Sequence, residues 1–197
     1  DLVMITDDIY WELAFDEQPT SAGQVDGGPV VVLDGLSKSW LVPGWRAGWM
    51  AFRDPDDELS DIQETVMKQA RLRLSSPTPV HHAIANALEP NAPHVKEAVD
   101  RLRTRVDLVA SRIEETDALR LVKPKGAFYA FVGIEQSGGR DDKTWVLDLL
   151  KEEKVLTVHG SGFGQAGQGH FRMVFLPPED VLADAMDRIV SFAERGA

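Results

Sequence analysis

The sequence predicts an α/β fold, and three observations carry that prediction. Short β-branched apolar runs, such as "LVMIT" (2–6) and "VVVL" (30–33), read as strands. They alternate with stretches whose apolar residues recur at steps of three and four, and Pro/Gly/Ser clusters separate the two kinds of segment. At 197 residues with 43% apolar side chains, the chain can build one large core or two small ones.

The runs at 2–6 and 30–33 are apolar at successive positions, which suits strands of a parallel or mixed sheet buried on both faces. "AGWMAF" (47–52) is a third, shorter strand. A helix is predicted over 54–74, with Asp54 and Pro55 at its N-cap and first turn and Leu59, Ile62, Val66 and Ala70 on one face. "SSPTP" (75–79) breaks the chain before a short helix over 80–89, and "PNAP" (90–93) breaks it again. Val95, Ala98, Leu102, Val106, Val109 and Ile113 then mark one face of a long amphipathic helix suited to bridging two domains. Strands follow at 119–124, 127–134, 155–160 and 170–176, with helices over about 142–153 and 179–194; the last carries Leu182, Ala185, Ile189 and Phe192 on one face. "EQSGGRDD" (135–142) is a surface loop. "GSGFGQAGQG" (160–169) reads as a flexible loop whose glycine spacing does not match a dinucleotide fingerprint.

Composition excludes several function classes. A formal charge of −11, from 32 Asp and Glu against 21 Lys and Arg, argues against a nucleic-acid partner. Aspartate outnumbers glutamate and arginine outnumbers lysine, a bias suited to high salt. There is no cysteine, so disulfides and thiolate metal sites are excluded, and no metal site is expected. No apolar run approaches a membrane span and no basic-then-apolar leader opens the chain, so a soluble, unexported, cytoplasmic protein is expected. The chain opens at Asp1 directly on strand-like sequence, which reads as a piece of a longer protein.

Chemistry concentrates in "VVLDGLSKSWLVPGWRAGWM" (31–50) and "DDIYWELAF" (7–15). Lys38 lies just past a buried strand among small residues, where partial desolvation favours a free amine able to attack a carbonyl. Alone, it reads better as a surface lysine at a strand end. Ser37 adds a hydroxyl beside it, and Arg46, eight residues later between Gly44 and Gly48, offers a two-pronged guanidinium suited to a phosphate dianion. Trp45 and Trp49 read as core filling. Asp7 and Tyr10 together could meet one small ring, although by spacing alone Asp7 or Asp8 could be an ordinary helix cap. Arg172, inside an apolar strand, needs a partner there.

These segments resemble the fold-type I pyridoxal-phosphate enzymes, the class I/II aminotransferases. The resemblance rests on an aspartate followed three residues later by a tyrosine, and on a serine-lysine pair with an arginine eight residues on. "PKGAFYAFVGI", "EEKVLTVHGSGFG" and "HFRMVFLP" are similar to the family's small domain, and the wording is most similar to its alanine (glutamate–pyruvate) branch. The resemblance implies the C-terminal portion of such an enzyme: residues 1–92 as the remainder of the large mixed-sheet domain, and 93–197 as the interdomain helix and α+β small domain. It implies pyridoxal 5'-phosphate as cofactor, with Lys38 as the imine-forming lysine and proton carrier. Asp7 would face the ring nitrogen, Tyr10 the ring oxygen, Ser37 and Arg46 the phosphate, and Arg172 the substrate α-carboxylate. Amino acids and 2-oxo acids are the implied substrates and a homodimer the implied assembly. The glycine-rich phosphate turn, the residue stacking on the ring and an asparagine at the ring oxygen have no counterpart in these residues, so the chain by itself is expected to be nearly inactive. A carbon-sulfur β-lyase or a decarboxylase would use the same anchors, and an aminotransferase-like effector domain of a transcription regulator would keep the fold.

Overall fold

The computed structural model describes residues 2–88 and 92–196. Asp1, the last residue of the predicted 80–89 helix and the start of the predicted 90–93 breaker lie outside the described residues. The chain forms two compact units that divide between Val99 and Asp100.

The first unit holds a three-stranded mixed sheet in the order β1-β2-β3. Strand β1 (Met4–Asp7) pairs in parallel with β2 (Val30–Gly35), and β2 pairs antiparallel with β3 (Gly48–Arg53). Helices α1 (Ser60–Leu72) and α2 (Thr78–Ala87) follow. Leu36, Ala47 and Ala87 form a small buried cluster, against which Trp40, Val42, Trp49, Val80 and Ile84 pack.

Three expectations need correction here. Strand β1 is not buried on both faces: Met4 and Ile5 are 55% and 67% exposed, because among the described residues β1 is an edge strand with β2 as its one neighbour. Helix α1 begins at Ser60, not at Asp54. The Asp54 carboxylate instead accepts the amides of Glu58 (2.8 Å) and Leu59 (2.9 Å), winding the turn before the helix. Of its predicted apolar face only Leu59 is buried, and α1 itself buries no residue. Trp45 does not fill the core; it is exposed, whereas Trp49 packs on the cluster as expected.

The long helix α3 (Pro93–Glu114) runs through the division between the units. All six residues of its predicted face, from Val95 to Ile113, are buried. The second unit adds β4 (Leu119–Leu121), β5 (Tyr129–Ile134), α4 (Asp142–Glu153), β6 (Val158–His159), β7 (His170–Val174) and α5 (Glu179–Glu194). Its four strands form an antiparallel sheet in the order β4-β5-β7-β6.

Alternation along β5 and β7 sends Ala130, Val132, Phe171 and Met173 to one buried face. There Phe171 stacks on Trp145 of α4, which in turn meets Phe192 of α5 edge-on. Met186, with Leu182, Ile189 and Phe192, forms the fully buried stripe of α5; Ala185 lies at its margin. Arg105 and Arg112 of α3 pair with Glu179 (3.0 Å) and Asp187 (2.8 Å) of α5, fixing the two helices side by side. No helix among the described residues is long and apolar enough to cross a membrane.

Candidate active site

The register of the first sheet gathers the predicted residues at one edge. Asp7 closes β1 opposite Leu33, and Gly35 closes β2 two residues before Ser37. Strand β3 runs back from Gly48, the partner of Gly35, and Leu36 donates its amide to the Ala47 carbonyl at 3.1 Å. Asp7, Ser37, Lys38 and Arg46 therefore all leave the sheet at the carboxyl ends of its two parallel strands, where open α/β sheets take their ligands.

Two glycines permit this closure. A Cβ on Gly35 would lie 2.6 Å from the Ala47 carbonyl oxygen, and one on Gly48 3.0 Å from that of Asp34. Side chains at these positions would push the lysine-bearing and arginine-bearing segments apart.

Beyond Asp7 the chain turns into a 3-10 turn, Trp11–Leu13, entered through Tyr10 at φ −108° and ψ 4°. This turn brings the phenol back over the second segment: Lys38 Nζ stands 6.0 Å from the centroid of the Tyr10 ring. Ser37 and Lys38 are half-buried. Asp7 is exposed, with Oδ1 accepting the amide of Ile9 at 3.2 Å. Asp8 is occupied structurally, its two oxygens accepting the hydroxyls of Thr6 (2.7 Å) and Ser21 (2.5 Å). These bonds occupy Asp8 and leave Asp7, the aspartate the resemblance implies, at the exposed end of the sheet.

Arg46 ends the 3-10 turn Pro43–Trp45 in the left-handed region, at φ 55° and ψ 42°. A non-glycine residue costs about 1–2 kcal/mol there. Its Nη1 donates to the Pro43 carbonyl at 2.8 Å, a local bond that leaves the guanidinium exposed.

Asp34 was not foreseen as part of this edge. It accepts the Gly35 amide at 2.6 Å. Burial pushes its carboxyl up to about 6, against the pull of that bond, and the negative charges of Glu12, Asp8 and Asp7 push the same way. The one sequence signal was an ionisable residue ending an apolar run.

Arg172 belongs to the second unit, on β7 between Phe131 of β5 and Val158 of β6. It points away from the helix-covered face. Its guanidinium lies 4.6 Å from the Tyr129 ring centroid and 4.3 Å from that of Phe163, so the cation lies over two aromatic rings. Among the described residues no carboxylate lies within ion-pairing distance of it, and the internal salt bridge that would have made it merely structural is absent.

Tyr129 and Phe163 went unrecognised in the sequence. Phe163 comes from the glycine-rich stretch, which is not a loose loop but two consecutive 3-10 turns, Gly160–Phe163 and Gln165–Gly167. A Cβ on Gly160 would lie 2.1 Å from the Gly167 carbonyl oxygen, so glycine there lets the two turns close on each other.

A family model described as aminotransferase class I and II matches residues 1–189. The chain belongs to the class I and II aminotransferases. It is 33% identical over 198 residues to an alanine aminotransferase of Mycobacterium tuberculosis, covering 97% of this chain and 46% of that protein. A glutamate-pyruvate aminotransferase of Haemophilus influenzae is 32% identical, at 97% and 49% coverage. Among solved structures, an alanine aminotransferase from Pyrococcus furiosus superposes with a TM-score of 0.93 at 41% identity, over 97% of this chain and 49% of that one. The chain spans about half the length of the curated relatives it matches.

Aminotransferase membership implies pyridoxal phosphate as cofactor. The donor set at the edge of the first sheet suits that molecule: an amine for its aldehyde, a carboxylate and a phenol for its ring, and a hydroxyl and a guanidinium for its phosphate.

Proposed function

We propose that the full-length protein carrying this chain transfers an amino group between an amino acid and a 2-oxo acid, with alanine, glutamate and their oxo acids as the favoured pairs. The observation that most supports this reading is the convergence of Asp7, Tyr10, Ser37, Lys38 and Arg46 on the carboxyl edge of one sheet, with Lys38 Nζ 6.0 Å from the Tyr10 ring centroid. The alanine and glutamate-pyruvate aminotransferases among its relatives support the choice of substrates. In this reading residues 1–92 contribute to the large cofactor-binding domain, and 93–197 form the interdomain helix and the small domain. A homodimer and a cytoplasmic location belong to the same reading.

Pyridoxal phosphate, when bound, supplies an aldehyde for imine formation and a protonated ring that accepts electrons from the substrate carbon. Asp7 holds the proton on the ring nitrogen, and Tyr10 donates to the ring oxygen. Ser37 and Arg46 grip the phosphate, the arginine through paired N–H donors in one plane. Lys38 Nζ would hold the cofactor through its aldehyde and, as a free amine, would serve as the base at the substrate Cα–H. Arg172 holds the α-carboxylate in a two-pronged contact, and orienting the substrate in this way decides which bond breaks.

The test is a product assay on the full-length protein with alanine and 2-oxoglutarate. Pyruvate and glutamate are expected in equal amounts, with turnover lost in Lys38→Ala. Release of ammonia and pyruvate without an oxo-acid acceptor would mean a lyase and would overturn the reading.

A further inference from the structure

His159 ends β6 and caps the turn that carries Phe163. Its Nδ1 accepts the amide of Gly162 at 3.2 Å and lies 2.9 Å from Ser161 Oγ. A ring nitrogen that accepts from a backbone N–H carries no proton of its own, so the capped state requires the neutral imidazole protonated at Nε2. Gly162 makes the contact possible: a Cβ there would press on His159 Cε1 at 3.1 Å. The same turn lays Phe163 on the Arg172 guanidinium.

Resting on the reading of Arg172 as the carboxylate anchor, we propose that His159 is a positioning residue for that anchor. As a neutral cap it winds the Gly160–Phe163 turn so that Phe163 lies on Arg172, and protonation at Nδ1 unwinds it. The protonated nitrogen becomes a donor, and the Gly162 amide loses its acceptor. Asp142 of α4, buried and 3.9 Å away, draws the imidazolium toward itself. Burial works against the charge of Asp142, but donors from Ser161 and its own amide outweigh it, with the positive charge His159 can carry as the smallest contribution, and hold the carboxyl below its usual range. The Asp142 oxygen facing the ring also accepts the Ser161 amide at 2.6 Å, so ring and turn compete for one carboxylate once the ring is charged. No other charged side chain among the described residues lies within ion-pairing reach of His159, and its register partner on β7 is the uncharged Phe171.

Freed from Phe163, the guanidinium keeps Tyr129 and meets water where Phe163 lay. It then holds a carboxylate in a less defined orientation. The expected signature is a rise in KM for amino acids as His159 takes up a proton, with the chemical step less affected.

The experiment is an NMR titration of the 15N-labelled 197-residue chain from about pH 5 to 8, the range in which imidazoles charge. In the unmodified chain the Gly162 amide, the Arg172 Nε–Hε resonance and the His159 ring protons should share one midpoint. The Arg172 proton should move downfield at low pH as it loses the shielding of Phe163. In His159→Asn the amide oxygen stands in for Nδ1 and takes no proton, so both signals should stay at their high-pH positions throughout. In His159→Ala they should sit at the low-pH position at every pH. An Arg172 resonance that ignores the His159 titration, or that moves with pH in His159→Asn as in the unmodified chain, overturns the proposal; the asparagine comparison decides it even where the alanine variant does not fold. Added pyruvate serves as carboxylate probe. If it leaves the Arg172 resonance in place while the pH coupling persists, the anchor reading fails and the cap between His159 and Phe163 stands.

Discussion

Gly35 and Gly48 face each other as register partners on antiparallel strands, and neither position has room for a methyl group beside the opposing backbone. This approach sets the gap between the segment carrying Ser37 and Lys38 and the segment carrying Arg46. A one-carbon change at either glycine therefore bears on stability and on cofactor geometry together.

Gly35→Ala should destabilise the first unit by about 1–3 kcal/mol, the usual cost of forcing atoms into a filled site. Gly48→Ala should cost less, since its Cβ would clear the opposing oxygen by 3.0 Å where that of Gly35 would have 2.6 Å. Chemical denaturation followed by tryptophan fluorescence measures both, and equal losses would refute the ranking.

Asp34 makes the stability of the first unit depend on pH in a direction opposite to most carboxylates. Its folded pKa of about 6 lies above the ordinary 3.8, so the folded state binds this proton more tightly than the unfolded chain. Its contribution is most favourable below about pH 4 and is lost as pH rises through about 6. Asp34→Asn keeps an oxygen for the Gly35 amide and removes the charge. It should raise Tm at about pH 7.5 and leave it unchanged or lower at about pH 4. A gain of equal size at both values would show that charge is not the cause.

Arg172→Lys should lower kcat/KM for amino acids in the full-length protein while cofactor absorbance is retained. A lysine offers a point charge where the carboxylate needs two parallel donors, and it stacks less well on Tyr129 and Phe163. Losing a charge-assisted pair is worth about 1.5–3 kcal/mol, roughly 10- to 150-fold. Unchanged kinetics would remove Arg172 from substrate binding.

Local periodicity was a sufficient guide to burial in α3 and α5, though not in α1, whose similar spacing marks no buried face. The steps of three and four in α3 and α5 arise from one helix packing one stripe, and Val106, Val109 and Ile189 are accordingly buried completely. The β1 run was legible as a strand but not as an edge, because apolar residues in succession do not reveal how many neighbours the strand has. Asp54 was read as a cap and does accept amides, yet the turn it organises delays the helix to Ser60. The resemblance to the aminotransferases picked out Asp7, Tyr10, Ser37, Lys38 and Arg46 because these residues lie in two short, readable segments. The two rings on Arg172 were hidden, since Tyr129 and Phe163 lie more than thirty positions apart, one reaching the arginine through β5–β7 pairing and the other through the Gly160–Phe163 turn. His159 was hidden for a related reason: a cap formed by an imidazole leaves no more trace in a sequence than any histidine beside glycines.

The most direct measurement is borohydride reduction of the chain after incubation with pyridoxal phosphate, followed by peptide mapping, run in parallel with phosphate-free pyridoxal and with Arg46→Ala. The account predicts a label concentrated on Lys38, much stronger with the phosphorylated aldehyde, and an advantage for phosphate that disappears in Arg46→Ala. A label scattered over exposed lysines, or one on Lys38 that is indifferent to both the phosphate and Arg46, would contradict it.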